Sequence, residues 1–111
     1  MAQNVLPDAA NRAVELITEL TGQRWEQVRR DFTPTMATRL DAAGVAAAWA
    51  QVASLVGRYE GIGEPFVRPL GDYTVVDVPL SFEAGDMIGR VSYDTDGKVA
   101  GLFILNPTPV R

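Results

Sequence analysis

The hydrophobic period of this chain changes once, at Gly57, and that change limits it to folds in which a helical half precedes a sheet. Before Gly57 the apolar residues recur at intervals of three and four. Ala13, Leu16, Ile17 and Leu20 make one face of a helix between Asp8 and Leu20, with Pro7 at its tolerated start and Gly22 as C-cap candidate. Trp25, Val28 and Phe32 give a short second helix that Thr33-Pro34 breaks. Thr33 suits the N-cap of one further turn, which carries Met36 and Leu40 inward. Asp41 caps and Gly57 stops a third helix over about 42–56, striped by Val45, Trp49, Val52 and Val56.

Beyond Gly57 the residues are β-branched, aromatic and punctuated by turns. Arg58 to Leu70, with Gly61, Gly63, Pro65 and Pro69, predicts one bent or edge strand. Asp72 to Glu83 alternates, with Val76, Val78, Leu80 and Phe82 on one face and Val75, Asp77, Pro79 and Ser81 on the other. Ala84-Gly85 suits a tight hairpin turn, and Asp94 to Lys98 a type I turn closed by Gly97 in the left-handed region. These turns set Phe82 opposite Met87, Val78 opposite Val91 and Val91 opposite Gly101. Val76, Val78, Leu80, Phe82, Met87, Val91, Tyr93, Val99, Phe103 and Leu105 then face the helices, together with Gly89 and Gly101. The expected fold is α+β: three N-terminal helices on a curved four-stranded antiparallel sheet, a single domain over 1–111 with helices in 8–57 and strands in 58–105.

In that register the outer face carries Asp77, Pro79, Ser81, Arg90 and Ser92, but also Ile88, Ala100, Leu102 and Ile104. So apolar a face predicts a partner, the simplest being a second copy of the chain, unless the tail or the bent strand covers it. Asp77, alone between Val76 and Val78, is expected to pair with Arg90 across the hairpin, so Asp77, Ile88, Arg90, Leu102 and Ile104 are the dimer-face candidates.

Composition narrows the chemistry. Ten basic against fourteen acidic residues leave a net charge of −4, which argues against a nucleic-acid surface. Histidine and cysteine are both absent, so a Cys or His nucleophile, a Ser-His-Asp triad, the usual zinc site and disulfides are excluded, and no metal or cofactor is expected. Asp94-Thr95-Asp96-Gly97 opens like a calcium loop, but the position that needs glutamate is Leu105. Gly61-Ile62-Gly63 lacks the third glycine and helix of a phosphate loop. The start of the chain has no basic-then-apolar leader and no window approaches the ~20 apolar residues of a membrane span, so a cytoplasmic location is expected, with no membrane partner.

Four segments carry a family resemblance: Arg30-Asp31-Phe32, the Val45-to-Tyr59 run with Trp49 and Gly57, the Val76-to-Glu83 strand, and Asp94 to Leu102. Through them the sequence resembles the domain of unknown function 3887, within the nuclear-transport-factor-2-like (cystatin-like) α+β folds. The resemblance implies a cone-shaped domain, secreted or fused to a hydrolase in some relatives, and supplies no catalytic residues.

Enzymes of that wider fold, ketosteroid isomerases among them, hold substrate between helices and sheet and use buried carboxylates and tyrosines. The corresponding candidates here are Asp31, Tyr59 and Tyr93, with Tyr73 more remote; the plainer expectation makes Tyr93 a rim residue with a wet hydroxyl, and the alternative for Asp31 is a solvated or capping carboxylate. Gly89 and Gly101 leave volume above the sheet, taken up either by a closely approaching helix or by a cavity. Trp25, Trp49, Gly89, Gly101 and Phe103 are therefore the pocket candidates. The leading expectation is a non-catalytic, homodimeric module that binds a small apolar molecule or a protein partner. The alternatives are a small acid–base enzyme acting on a hydrophobic substrate and an appendage of a neighbouring hydrolase.

Overall fold

The computed structural model describes residues 5–106. Four helices come first: α1 (Ala9–Thr21), α2 (Trp25–Val28), α3 (Pro34–Arg39) and α4 (Ala42–Val56). Five strands follow: β1 (Tyr59–Ile62), β2 (Phe66–Leu70), β3 (Tyr73–Phe82), β4 (Gly85–Tyr93) and β5 (Val99–Leu105). The sheet is antiparallel, and β1 and β2 both pair with β3, at opposite ends of it, before β4 and β5 complete the order.

Two counts differ from expectation for local reasons. The turn after Thr33 is a helix in its own right, because Thr33 Oγ1 accepts from the Met36 N–H at 3.1 Å and Pro34 occupies the first turn. The bent strand of 58–70 is two strands. Gly63 continues the β1 register by donating to the Pro79 carbonyl at 2.8 Å, but Pro65 has no N–H to give a ladder, and pairing resumes at Phe66 opposite Asp77, shifted by one residue. The other punctuation is as expected: Asp41 Oδ1 caps α4 through the Gly44 N–H at 2.8 Å, and Gly57 (φ 83°) and Gly97 (φ 80°) take the left-handed conformations their turns require. Gly22 is the C-cap of α1 as expected, its N–H donating to the Thr18 carbonyl at 3.0 Å, and Gln23 after it takes the left-handed conformation (φ 63°).

The β3–β4 hairpin turns at Glu83-Ala84, one position earlier than expected, so Phe82 faces Gly85 and Val78 faces Gly89. The Glu83 N–H donating to Arg58 O and the Ala84 N–H donating to Val56 O, each at 2.8 Å, hold the turn there. The register moves by two residues, so every side chain keeps its face.

The β4–β5 register moves by one, and that reverses a segment. Tyr93 faces Val99 but Ser92 faces Gly101, which leaves Ala100 as an extra residue on β5. From the bulge onward the faces exchange. Leu102 and Ile104 turn toward the helices and pack against the core, while Gly101 and Phe103 turn outward. Plain alternation along β5 placed all four the other way.

The core lies between the helices and the inner face. Ala13, Leu16, Ile17 and Leu20 of α1, Val45, Trp49 and Val52 of α4, and Val76, Val78, Leu80, Phe82, Met87, Val91, Tyr93 and Val99 of the sheet are buried. Gly89 lies on the inner face, and its missing side chain is accounted for by close helix approach: a Cβ there would stand 2.9 Å from Ile17 Cδ1. Gly101 opens no cavity on the helix side, because its Cβ would point outward to Phe103 at 3.1 Å and Ser92 at 3.6 Å.

Candidate functional site

α4 carries no charged residue along its fifteen positions, so it is apolar over more of its circumference than one core-facing stripe needs. Val45, Trp49 and Val52 are buried; Ala48 and Leu55 continue the apolar surface into solvent, Leu55 at 70% exposure. The Trp49 ring packs against Phe82 (5.6 Å between centroids) and Tyr59 (6.2 Å), which fixes α4 over the β1–β3 side of the sheet. The β5 side stays open as a cleft of about 440 Å³. Leu20, Leu40, Met87, Leu102, Ile104 and Leu105 complete its walls, and Gln51 and Asn106 are its only polar side chains among the described residues. The bulge at Ala100 creates this wall, since it turns Leu102 and Ile104 inward.

A second, more polar cleft of about 610 Å³ lies between α3 and β5, lined by Thr33, Thr35, Met36, Arg39 and Leu40 on one side and by Tyr73, Asp94 and residues 100–103 on the other. Leu40 and Leu102 line both clefts. Of the pocket candidates, Trp49 lines the apolar cleft, whereas Gly101 and Phe103 line the second. Trp25 packs against the core and lines neither cleft; Gly89 is filled by Ile17. Ala48, Gln51 and Leu55 were not candidates, and the signal that could have found them is the uncharged length of α4.

Tyr93 and Asp31 do meet, but not in an apolar cavity. They line a recess of about 30 Å³ together with Arg12, Glu15, Glu19 and Arg30, room for about one water. The Arg12 guanidinium lies 4.8 Å from the Tyr93 ring centroid, pairs with Asp31 at 3.2 Å and donates to the Gly97 carbonyl at 2.6 Å, so it ties α1 to the Asp94–Lys98 turn. Tyr93 is 1% exposed and is no rim residue. Burial pushes its hydroxyl up to about 12, against the smaller opposing pull of Arg12. Burial also raises Tyr59, which stands in the Trp49–Phe82 cluster away from Asp31.

The raised Tyr93 value has a stability consequence. The folded state holds this proton more tightly than the unfolded chain, so the stabilisation is complete below pH ~10, the unfolded value, and is lost as the pH rises toward about 12. Urea unfolding across that window should show stability falling by up to about 1.4 kcal/mol per pH unit, and Tyr93→Phe should remove that part of the decline.

On the outer face Asp77 is paired as expected. Arg90 Nε and Nη2 hold its two carboxylate oxygens at 2.7 and 3.0 Å, and Arg68 approaches to 3.7 Å. Ile88 shares this face, but Leu102 and Ile104 do not; the exposed apolar residues around the cluster are instead Phe66, Leu70, Tyr73 and Phe103. Among the described residues there is no group of three or more acidic side chains placed to hold a metal ion. No helix of the structure is long and apolar enough to cross a membrane.

These features define an α+β domain in which helices cover one face of an open antiparallel sheet and leave an apolar cleft at its β5 end. Residues 13–102 match the model of a protein family of unknown function, DUF3887, and the chain belongs to that family. In fold it is similar to the NMR structure of a protein from Ruminococcus gnavus ATCC 29149, with a TM-score of 0.64 and 13% identity over 93% of this chain and 94% of that one. Comparison with curated proteins gave no match.

Proposed function

We propose that this chain is a non-catalytic binding module whose working site is the cleft between α4 and β5, taking an apolar ligand. One observation carries the reading: a cleft of about 440 Å³, within the range of small-molecule sites, has walls that are apolar apart from the Gln51 and Asn106 side chains among the described residues. The acid–base alternative needs a carboxylate and a tyrosine inside one apolar cavity, and among the described residues this cleft has neither. The order of helices then sheet, with the cleft above the inner face, supports placing the family among nuclear-transport-factor-2-like folds.

The test is fluorescence titration with 8-anilino-1-naphthalenesulfonate on the native protein and on Ala48→Trp. Ala48 is exposed, so the indole should fill the cleft with little effect on thermal unfolding. Probe affinity should fall roughly tenfold or more. Unchanged affinity in a folded variant would place the binding surface elsewhere.

A second reading concerns the outer face. Phe66 (62% exposed), Leu70 (56%), Tyr73 (45%) and Phe103 (54%) surround the Arg68–Asp77–Arg90 cluster, an apolar ring about a fixed polar centre that suits an isologous dimer. Sedimentation equilibrium at micromolar concentration should find a dimer that Phe103→Glu with Phe66→Glu converts to monomer. A monomeric native protein would remove this reading and leave the cleft untouched.

A further inference from the structure

The two edges of the sheet are treated very differently by the sequence. The β1–β2 edge carries Glu60, Glu64, Pro65, Arg68 and Pro69, the charges and prolines that discourage strand addition. The β5 edge, Val99 to Leu105, has neither a charge nor a proline in seven residues. Among the described residues only its first residue is covered: the Val99 N–H donates to Asp31 O at 2.6 Å and its carbonyl accepts from the Thr33 N–H at 2.9 Å. Among the described residues no strand pairs with Gly101–Leu105 on that side.

The two clefts flank this open edge, the apolar one on the helix side and the larger one toward the outer face, and they meet at Leu40 and Leu102. Side chains of an extended strand point alternately to the two faces of a sheet. A strand laid along β5 would therefore send every second side chain into each cleft. α3 and α4 line the sides of the two clefts away from β5. Charge selects further. Arg39 is exposed in the second cleft and makes no ion pair among the described residues, whereas Asp94 Oδ1 there accepts from the Asp96 and Lys98 N–H groups at 3.0 and 2.8 Å. A carboxylate on the occupant would complement Arg39.

We propose that the Gly101–Leu105 edge of β5 binds an extended apolar peptide segment carrying one acidic residue, which joins the sheet as an added strand with its side chains alternating between the two clefts. The proposal rests on the reading of the α4–β5 cleft as the binding site and names the class of its occupant.

The probe is a heptapeptide library randomised in Val, Ile, Leu, Phe and Thr with one terminal Asp, selected on the full chain. The expected result is an enriched peptide that slows amide exchange at Gly101–Leu105, whose affinity drops roughly tenfold or more on N-methylation of alternate backbone amides and falls with Arg39→Gln. The Arg39→Gln arm uses an exposed position, so folding is retained. No enrichment while naphthalenesulfonate still binds would overturn the peptide and spare the cleft reading; failure of both probes would overturn both. Equal affinity of the N-methylated peptide would reduce the contact to side-chain binding. Exchange protection of β5 that rises with protein concentration alone would identify a second copy as the occupant.

Discussion

Trp49→Ala should lower the stability of the folded chain by about 3–5 kcal/mol, the largest loss expected from a single truncation here. The ring is 8% exposed and packs on Phe82 and Tyr59 at 5.6 and 6.2 Å, so its removal vacates the space that fixes α4 above the sheet. Geometry adds about 0.5–1.5 kcal/mol per aromatic pair to the lost burial, which puts the expected value in the upper part of that range. Trp49→Phe should recover most of it. Urea unfolding followed by circular dichroism measures both, and a loss below about 1.5 kcal/mol would mean that α4 is held chiefly by other contacts.

Gly89→Leu should cost about 3 kcal/mol or more, because the inner-face position opposite Val78 is already occupied. A Cβ alone would stand 2.9 Å from Ile17 Cδ1 and 3.5 Å from Leu80 Cδ1, and Ile17 is fully buried with no route to withdraw. The clash is specific, so Ile17→Ala in the same molecule should restore part of the loss, a positive coupling between two changes that are each destabilising alone. Gly101→Val is the matched control on the other face. It meets the exposed Phe103 ring, which can swing into solvent, so stability and the helix-side cleft should both be little affected. If Gly89→Leu were tolerated as well as Gly101→Val, α1 would not sit on the sheet as described.

The helices, their caps and the inner face of β3 and β4 were legible in the sequence because local signals agree there: period, capping side chain and stop residue all point one way at Asp41, Gly57 and Gly97. The Asp77–Arg90 pair followed from alternation alone and survives the shift in the hairpin, since a slip of two residues keeps every face. β5 was misread for the opposite reason. Val99 to Leu105 is apolar at nearly every position, so nothing in it announces which face is buried, and one extra residue at Ala100 reverses all that follow. That reversal exchanges roles: Leu102 and Ile104, expected at a dimer face, line the cleft, and Phe103, expected in the pocket, is exposed outside it. The inward placement of Trp49 was legible because a large ring on a helix stripe must reach the sheet. Ala48 and Leu55 were missed because the stripe was read only at its buried centre.

A binding role for the cleft requires that ligand enter between α4 and β5. Two-dimensional NMR of labelled protein titrated with 8-anilino-1-naphthalenesulfonate reports this residue by residue. The expected result is concentration-dependent shifts at the Trp49 indole N–H and at the amides of Val45, Ala48, Val52, Leu102 and Ile104, with Phe66, Arg68 and Arg90 unmoved. Shifts confined to the outer face, or a Trp49 signal that stays fixed while the probe binds, would contradict it.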